Sequence, residues 1–392
     1  IYKDRNMIGL VTSTVVKDGA QTVMSRSETV FDEASSSPAL GRGNPTASRV
    51  WDNTRGNYNE ANAYITTYAK FDQWGNQYEA TDANGVKTTT VFDPVHHAFP
   101  VQIITDAPDP TGQRGSNAPF VTAATFDYVT GLPLTNVDVN GLETRYEYDP
   151  VTLRITKTKY FYNNQQVGSE TETVYHDQPH NYWIKTRTLL DVNKWHESIT
   201  YLDGLGRAYK SEEINSEGDI FIEKEFDSEG RVKRVSNPFR NGEQKHWTTT
   251  IYDEASRVKE VIFPDGSKMR IDYGVLIGDL VGVTKQITDQ AGKKRLGISD
   301  ALDRMIRVTE DPGGQNLHTD YIFDALGNLR KTVQGGQSRY FSYDSLGRLL
   351  YAKQPEQDTN DDFDHTDAIT GNSEWSVRYE YDAGGNLVKT TD

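Results

Sequence analysis

One short phrase recurs along the chain: an aromatic residue, Asp, two variable residues, Gly, then Arg or Asn. It stands as FDQWGN (Phe71, Asp72, Gly75), FDSEGR (Phe226, Asp227, Gly230), FDALGN (Phe323, Asp324, Gly327), YDSLGR (Tyr343, Asp344, Gly347) and YDAGGN (Tyr381, Asp382, Gly385). YDPVTLR at Tyr148 and Asp149 and YDEASR at Tyr252 and Asp253 keep the frame, and YLDGLGR at Tyr201 is one residue longer. Worn copies begin at Phe31, Phe92 and Phe126. Phe71 and Phe92 are 21 residues apart, Phe226 and Tyr252 26, Phe323 and Tyr343 20. A period of that size holds one strand, one turn and one strand, and such a unit buries too little surface to stand alone.

Each position of the phrase has a physical reason. Gly supplies positive φ in a tight connection without steric cost. A short carboxylate just before the bend accepts backbone N–H groups, as in Asx turns. After the turn come alternating stretches such as RVKRV (231–235) and RVKEVIF (257–263), the period of a strand. Between copies lies a second turn signal followed by a Thr/Tyr/Arg-rich strand, as in TDANGVKTTTVFD (81–93) and VDVNGLETRYEYD (137–149). The phrase therefore marks every second turn of an antiparallel ribbon. No stretch of a dozen residues has helical apolar periodicity. The predicted fold is all-β: hairpin repeats in one long curled ribbon, with a β-rich lead-in over 1–70, repeats over 71–392 and an acidic insertion at 355–372. SDALDRM from Ser299, with Asp303 in the Gly position, predicts a local irregularity.

Composition excludes several function classes. With 57 acidic against 42 basic residues the net charge of -15 repels nucleic acid and anionic membrane surfaces. There is no cysteine, hence no disulfide, thiolate metal site or cysteine nucleophile. The most apolar stretch, VLIGDLVGV (275–283), is far short of the ~20 residues that span a bilayer. The only Asn-x-Ser/Thr match, Asn44-Pro45-Thr46, is blocked by its proline, which argues against a eukaryotic secreted source. The chain begins at Ile1 and stops within a repeat, so it reads as a piece of a longer protein, and the lack of a signal peptide excludes nothing. Only 35% of residues are hydrophobic while 22 are Tyr, poor material for a thick core and apt for rings with one dry side and a wet hydroxyl.

The repeated aromatic-Asp-x-x-Gly-Arg/Asn phrase over residues 71–392 resembles the Rhs, or YD-repeat, family. The opening (1–34) and VFDPVHHAFPVQIIT (91–105) look like the lead-in of its SpvB-like and Tc-toxin B-subunit branch, which is related to the teneurin YD shell. The resemblance implies a ribbon wound into a hollow shell. In bacterial members that shell encloses a C-terminal toxic polypeptide, and in teneurins a similar shell serves cell adhesion. It therefore implies a non-catalytic container in a secreted or cell-surface bacterial protein, with partners in the parent chain's C-terminal toxin or effector and in other shell segments or subunits. The alternative is an adhesion or carbohydrate-binding scaffold. The segment carrying self-cleavage aspartates in the family is not visible, EDPGGQN from Glu310 reading as an ordinary turn, so no protease residue is carried over.

Against the repeats stands PEQDTNDDFDHTDAITGN (355–372), where Asp358, Asn360, Asp362 and Asp364 alternate like the oxygen ligands of a calcium loop. The central Gly and terminal Glu of such a loop are missing, so the reading is a solvated acidic loop with calcium as the alternative; no other cofactor is expected. His96 with His97, and His176 with His180, do not converge: neighbours on a strand face opposite ways, and Pro179 breaks a helix. No Gly-x-Ser-x-Gly, His-Glu-x-x-His or Walker phrase occurs, and no carboxylate pair stands out, so no catalytic residue is assigned. The six tryptophans, 51, 74, 183, 195, 247 and 375, either fill the aromatic layer of the repeats or offer sugar-stacking platforms.

Overall fold

Strand, turn and strand follow one another throughout the computed structural model, which describes residues 7–33, 42–107, 117–274, 282–382 and 384–392. Among these residues are thirty-one strands, paired antiparallel, and one 3-10 turn, Ala61–Ala63. Pairing is almost wholly between sequence neighbours, as hairpin repeats require. The fold is an all-β ribbon.

The chain divides into two compact units. The first comprises Ile1–Val121, Val281–Val283 and Gly297–Asp392, the second Thr122–Leu280 and Thr284–Leu296. The first unit holds two courses of ribbon, one running from Ser13–Lys17 to Pro100–Thr105 and the other from Met305–Glu310 to Leu387–Thr391. The second unit holds a single course, from Pro133–Val137 to Lys268–Tyr273 and beyond.

Burial along the strands does not alternate between buried and exposed, as it does where one sheet packs on another. In Asn181–Asp191, eight consecutive residues are all half-buried. The chain exposes 24187 Å². A compact globule of 44.2 kDa exposes roughly 15,500 Å², and two separate globules of half that mass roughly 18,700 Å². The excess is what a single layer wetted on both faces produces, however the units are placed. Rings are covered by cations in place of a second apolar layer: Arg145 lies 3.8 Å from the centroid of Phe161, Arg187 4.4 Å from Trp195 and Arg234 4.3 Å from Trp247. That explains how so polar a sequence folds.

The irregularity expected at Asp303 is absent. Asp303 itself takes φ of 60°, and its N–H donates to the Asp300 carbonyl at 3.0 Å as the motif Gly does elsewhere. Asp is among the few non-Gly residues that adopt this conformation at modest cost.

Candidate functional site

The recurring device is the motif turn. At Asp227 the N–H donates to the Arg231 carbonyl at 2.9 Å, and the Gly230 N–H, with φ of 81°, donates back to the Asp227 carbonyl at 3.0 Å. Oδ1 of Asp227 accepts the Glu229 and Arg231 N–H groups, and Oδ2 accepts Nε of Arg231 at 2.7 Å. The same wiring recurs at Asp253 with Arg257 and at Asp344 with Arg348; Asp72, Asp324 and Asp382 use Asn76, Asn328 and Asn386 for the second oxygen. Asp149 builds a turn one residue longer, with Leu153 at φ of 60°. At each turn the ladder slips by one residue, as between Glu225 and Phe226, so the turn is a bulged hairpin.

The Arg or Asn that ends the phrase has no assigned role in the sequence reading. The structure gives the Arg two. It neutralises the Asp behind it and lies over the aromatic ring that opens the next copy: Arg207 is 4.3 Å from Phe226 and Arg231 4.5 Å from Tyr252; Arg257 lies 4.1 Å from Tyr273, a ring at the same place without the motif Asp. At three of the Tyr copies the hydroxyl donates back to the carbonyl just beyond the previous turn. Tyr252 bonds Val232 at 2.9 Å, Tyr148 bonds Pro133 at 2.7 Å and Tyr381 bonds Leu349 at 2.9 Å. At Tyr252 and Tyr381 the copy is thus clamped to its neighbour by ring, cation and hydroxyl together. Tyr252→Phe keeps the ring under Arg231 and deletes only the hydroxyl bond, so urea denaturation should show a loss of about 1 kcal/mol. An unchanged midpoint would mean water serves the Val232 carbonyl equally well.

The carboxylates respond to this wiring. The Arg257 and Arg304 guanidinium groups, followed by backbone N–H donors, hold Asp253 and Asp300 below the usual carboxylate range; Asn386 and its N–H do the same for Asp382. A depressed carboxyl stabilises the fold above its unfolded value, about 3.9, and that contribution is lost as pH falls towards the folded values. Far-UV circular dichroism should therefore show the ribbon melting as pH drops below about 4. Full retention of signal at pH 2 would show that the turns hold without charged Asp.

In the first unit, turns on the opposite edge of the first course sit on motif turns of the second. Asp52, 2% exposed, accepts a bond from Arg348 at 2.9 Å, while the same guanidinium serves Asp344 Oδ2 and the Asp382 carbonyl and lies 5.2 Å from the Tyr381 centroid. Asn53 and Ser345 exchange bonds of 3.1 and 3.0 Å, and Ser345 Oγ donates to the Trp51 carbonyl. Two places along, Asn84 accepts the Gly384 N–H at 3.1 Å and donates to Asp382 Oδ2 at 3.2 Å. A cavity of about 430 Å³ lies beside this seam, between the 18–22 turn and Leu326, Asp367 and Ile369.

The insertion 355–372 folds onto the second course. Asp367, 2% exposed, pairs with Arg330, 5% exposed, and its other oxygen accepts the N–H and hydroxyl of Thr370. His365 stacks on Tyr351 with centroids 4.5 Å apart, and fully buried Trp375 donates Nε1–H to the His365 carbonyl at 2.7 Å. Nε2 of His365 is 2.9 Å from Ser342 Oγ, which resembles a nucleophile and its base. Asp367 makes no bond to His365, being engaged by Arg330 and Thr370, and Ser342 is 2% exposed in the middle of strand Gln337–Tyr343. Both side chains line the cavity described above, but no carboxylate orients the imidazole, so the pair lacks the third member of a catalytic set.

Asp358, Asp362 and Asp364 are exposed, and the amide oxygen of Asn360 accepts the Asp362 N–H at 3.0 Å. Among the described residues no three His, Asp or Glu side chains gather round a common point. His97 stacks on Trp74 at 3.6 Å and His176 on Trp183 at 4.8 Å. Trp51 and Trp375 are buried, Trp183, Trp195 and Trp247 half-buried, and Trp74 is 51% exposed.

No helix among the described residues is long and apolar enough to cross a membrane. Residues 292–392 match the teneurin YD-shell family, and no curated protein sequence matches the chain. Among solved structures, the chain superposes on the crystal structure of TcdB2-TccC3 without its hypervariable C-terminal region with a TM-score of 0.66 at 12% identity. On TcdB2-TccC3-Cdc42 the TM-score is 0.68, also at 12% identity. Both matches cover 94% of this chain and 26% of the other. The Photorhabdus luminescens Tc holotoxin pore gives 0.50 at 13% identity over 96% of this chain and 21% of the other. The chain thus spans about a quarter of the length of its structural neighbours. With its motif turns and its ladder of neighbouring hairpins, the chain has the β-shell fold of TcdB2-TccC3, and over residues 292–392 it is similar to the teneurin YD shell.

Proposed function

We propose that the chain is a stretch of shell wall in a secreted or cell-surface bacterial protein of the Rhs type, enclosing a C-terminal effector polypeptide of the parent chain. The observation that carries this reading is the single-layer ribbon, hydrated on both faces and alike over 94% of its length to TcdB2-TccC3, a protein described as having a hypervariable C-terminal region. A wall between two aqueous compartments needs no second layer, and cation-covered rings supply its cohesion without one. No residue takes a catalytic role, and the partners are the effector and neighbouring shell segments or subunits. Purified full-length parent, treated with protease and read by mass spectrometry, should yield a C-terminal polypeptide that is cleaved, co-purifies and survives digestion. A tail that is intact and digested at once would sink the reading.

The alternative, an adhesion or carbohydrate-binding scaffold, draws on the teneurin match and on exposed Trp74. It predicts glycan-array binding that Trp74→Ala abolishes. For the insertion, a solvated loop is the reading its exposed aspartates support. Millimolar calcium should leave the melting temperature of the chain unchanged, and an upward shift would restore the calcium reading for Asp358, Asn360, Asp362 and Asp364.

A further inference from the structure

Opposite partners in a ladder share a face of the sheet and neighbours along a strand take opposite faces, so the register sorts every strand residue to one side or the other. In each unit one side carries the motif rings: Phe71 with Ala69 and Thr67 in the first, Tyr148 with Tyr146 and Thr144 in the second. On this motif face of the first course, Ser48 stands opposite Thr67, Ala69 opposite Ala80 and Thr88 opposite Thr105. The six strands from Val23–Phe31 to Pro100–Thr105 contain six charged residues, Arg26, Glu28, Arg49, Lys70, Glu79 and Lys87, and all six fall on the other face. The motif face is also hollowed there, where Ser48, Thr67, Ala69, Ala80, Thr88 and Thr105 line a cavity of about 480 Å³.

From Glu143–Tyr148 to Lys194–Leu202 the second unit divides in the same way. On one face Glu147, Lys157, Glu172, Arg187 and Glu197 lie opposite one another in turn, a row of alternating sign, and Lys185 pairs with Glu197 at 2.6 Å beside it. On the motif face Thr173, Thr186 and Ser198 lie opposite one another, and its only charges stand at strand ends, Asp177 and the Asp191–Lys194 pair. Farther along, the motif face gains single charges such as Glu213, Lys224 and Arg339, but the ion pairs between strand interiors, Arg234–Glu225, Arg270–Glu260 and Arg307–Asp320, stay on the other. The two faces therefore suit different surroundings. Matched rows of opposite charge keep a face wetted by bulk water soluble without drawing other chains to it. An enclosed polypeptide brings its own charges in no order matched to the wall, and fixed wall charges would hold some stretches and repel others. Hydroxyls both donate and accept, so a neutral Thr/Ser/Tyr face can meet such a chain at any point. We infer that the motif face is turned to the enclosed effector and the ion-paired face to bulk solvent, an inference that rests on the encapsulation reading above.

Site-specific photocross-linking in the full-length parent, purified with its effector, tests this. The photoreactive residue p-benzoylphenylalanine replaces one residue at a time: Ile103 or Thr173 on the motif face, Val91 or Val174 on the other. Ile103 and Val91 are each 40% exposed, so a difference between them reads direction and not access. After irradiation, mass spectrometry measures the fraction of effector joined to the wall. Ile103 and Thr173 should capture at least about tenfold more effector than Val91 and Val174, because side chains on opposite faces of one layer point away from each other. Equal capture from the two faces, stronger capture from Val91 and Val174, or no capture from any position while the effector still resists protease would overturn the face assignment and leave enclosure standing. An effector that protease digests at once would sink the enclosure reading and this inference with it.

Discussion

Replacing Arg348 with Met should lower the stability of the first unit by roughly 3–5 kcal/mol, the cost of breaking a buried ion pair from one side. Asp52 is 2% exposed and the Asp344 side chain fully buried, so the substitution takes the guanidinium from two buried carboxylates and leaves them only Arg55, Thr54 and backbone N–H groups. It also frees the Asp382 carbonyl and uncovers the Tyr381 ring. The readout is local. Hydrogen exchange at the Asn53 and Ser345 amides should accelerate together, because these groups bond each other across the seam. Asp52→Asn paired with Arg348→Met in a double-mutant cycle should show coupling of about 1–3 kcal/mol. Additive effects would mean that Arg348 works only within its own turn, and that the courses are held by Asn53, Asn84 and Ser345 alone.

That seam marks the boundary of what the sequence could tell. A turn is a local object, so Asp227, Gly230 and the alternating strands that follow are written within six or so neighbouring residues, and the ribbon follows from their repetition. The clamp between copies is harder to see, because Arg231 acts on a ring twenty-one residues away; the coincidence of Arg at the end of one phrase with Tyr252 at the head of the next was the available signal. The seam has no such signal. Asn53 and Asn84 look like any turn residue, and nothing periodic links them to Ser345 and Gly384, nearly three hundred positions on. The buried part of the insertion was hidden for a different reason. DAITGN at Asp367 has the same turn wiring as the worn copy at Asp127, with Gly371 and Gly131 both at positive φ, but Thr366 stands where the aromatic should be. Without that ring the copy reads as part of an acidic loop, and the buried pairing of Asp367 with Arg330 cannot be anticipated.

Trp375→Ala should detach this insertion. A fully buried Trp replaced by Ala costs about 3–5 kcal/mol where the cavity cannot collapse. Here the loss also removes the donor to the His365 carbonyl and one of the rings around Tyr351. The ribbon strands on either side are paired to their own neighbours, Leu349–Lys353 to Gln337–Tyr343 and Val377–Tyr381 to Leu387–Thr391, so the insertion can open without melting them. The measured loss is then capped by the stability of the insertion itself. The expected result is rapid exchange and proteolytic cutting within 355–372, with the ladder amides beyond it still protected. Acid should push the same way: burial holds the His365 ring below its ordinary value, so the folded insertion favours neutral imidazole. A group depressed in this manner stabilises above its unfolded value, about 6.5, and loses that contribution as pH falls. Protection from exchange in 355–372, taken relative to the unstructured-chain rate at each pH, should thus fall between about pH 6.5 and 5, before the motif carboxylates begin to titrate. His365→Phe, which keeps a ring over Tyr351 and cannot protonate, should flatten that dependence; an unchanged pH profile in that variant would place the acid response elsewhere.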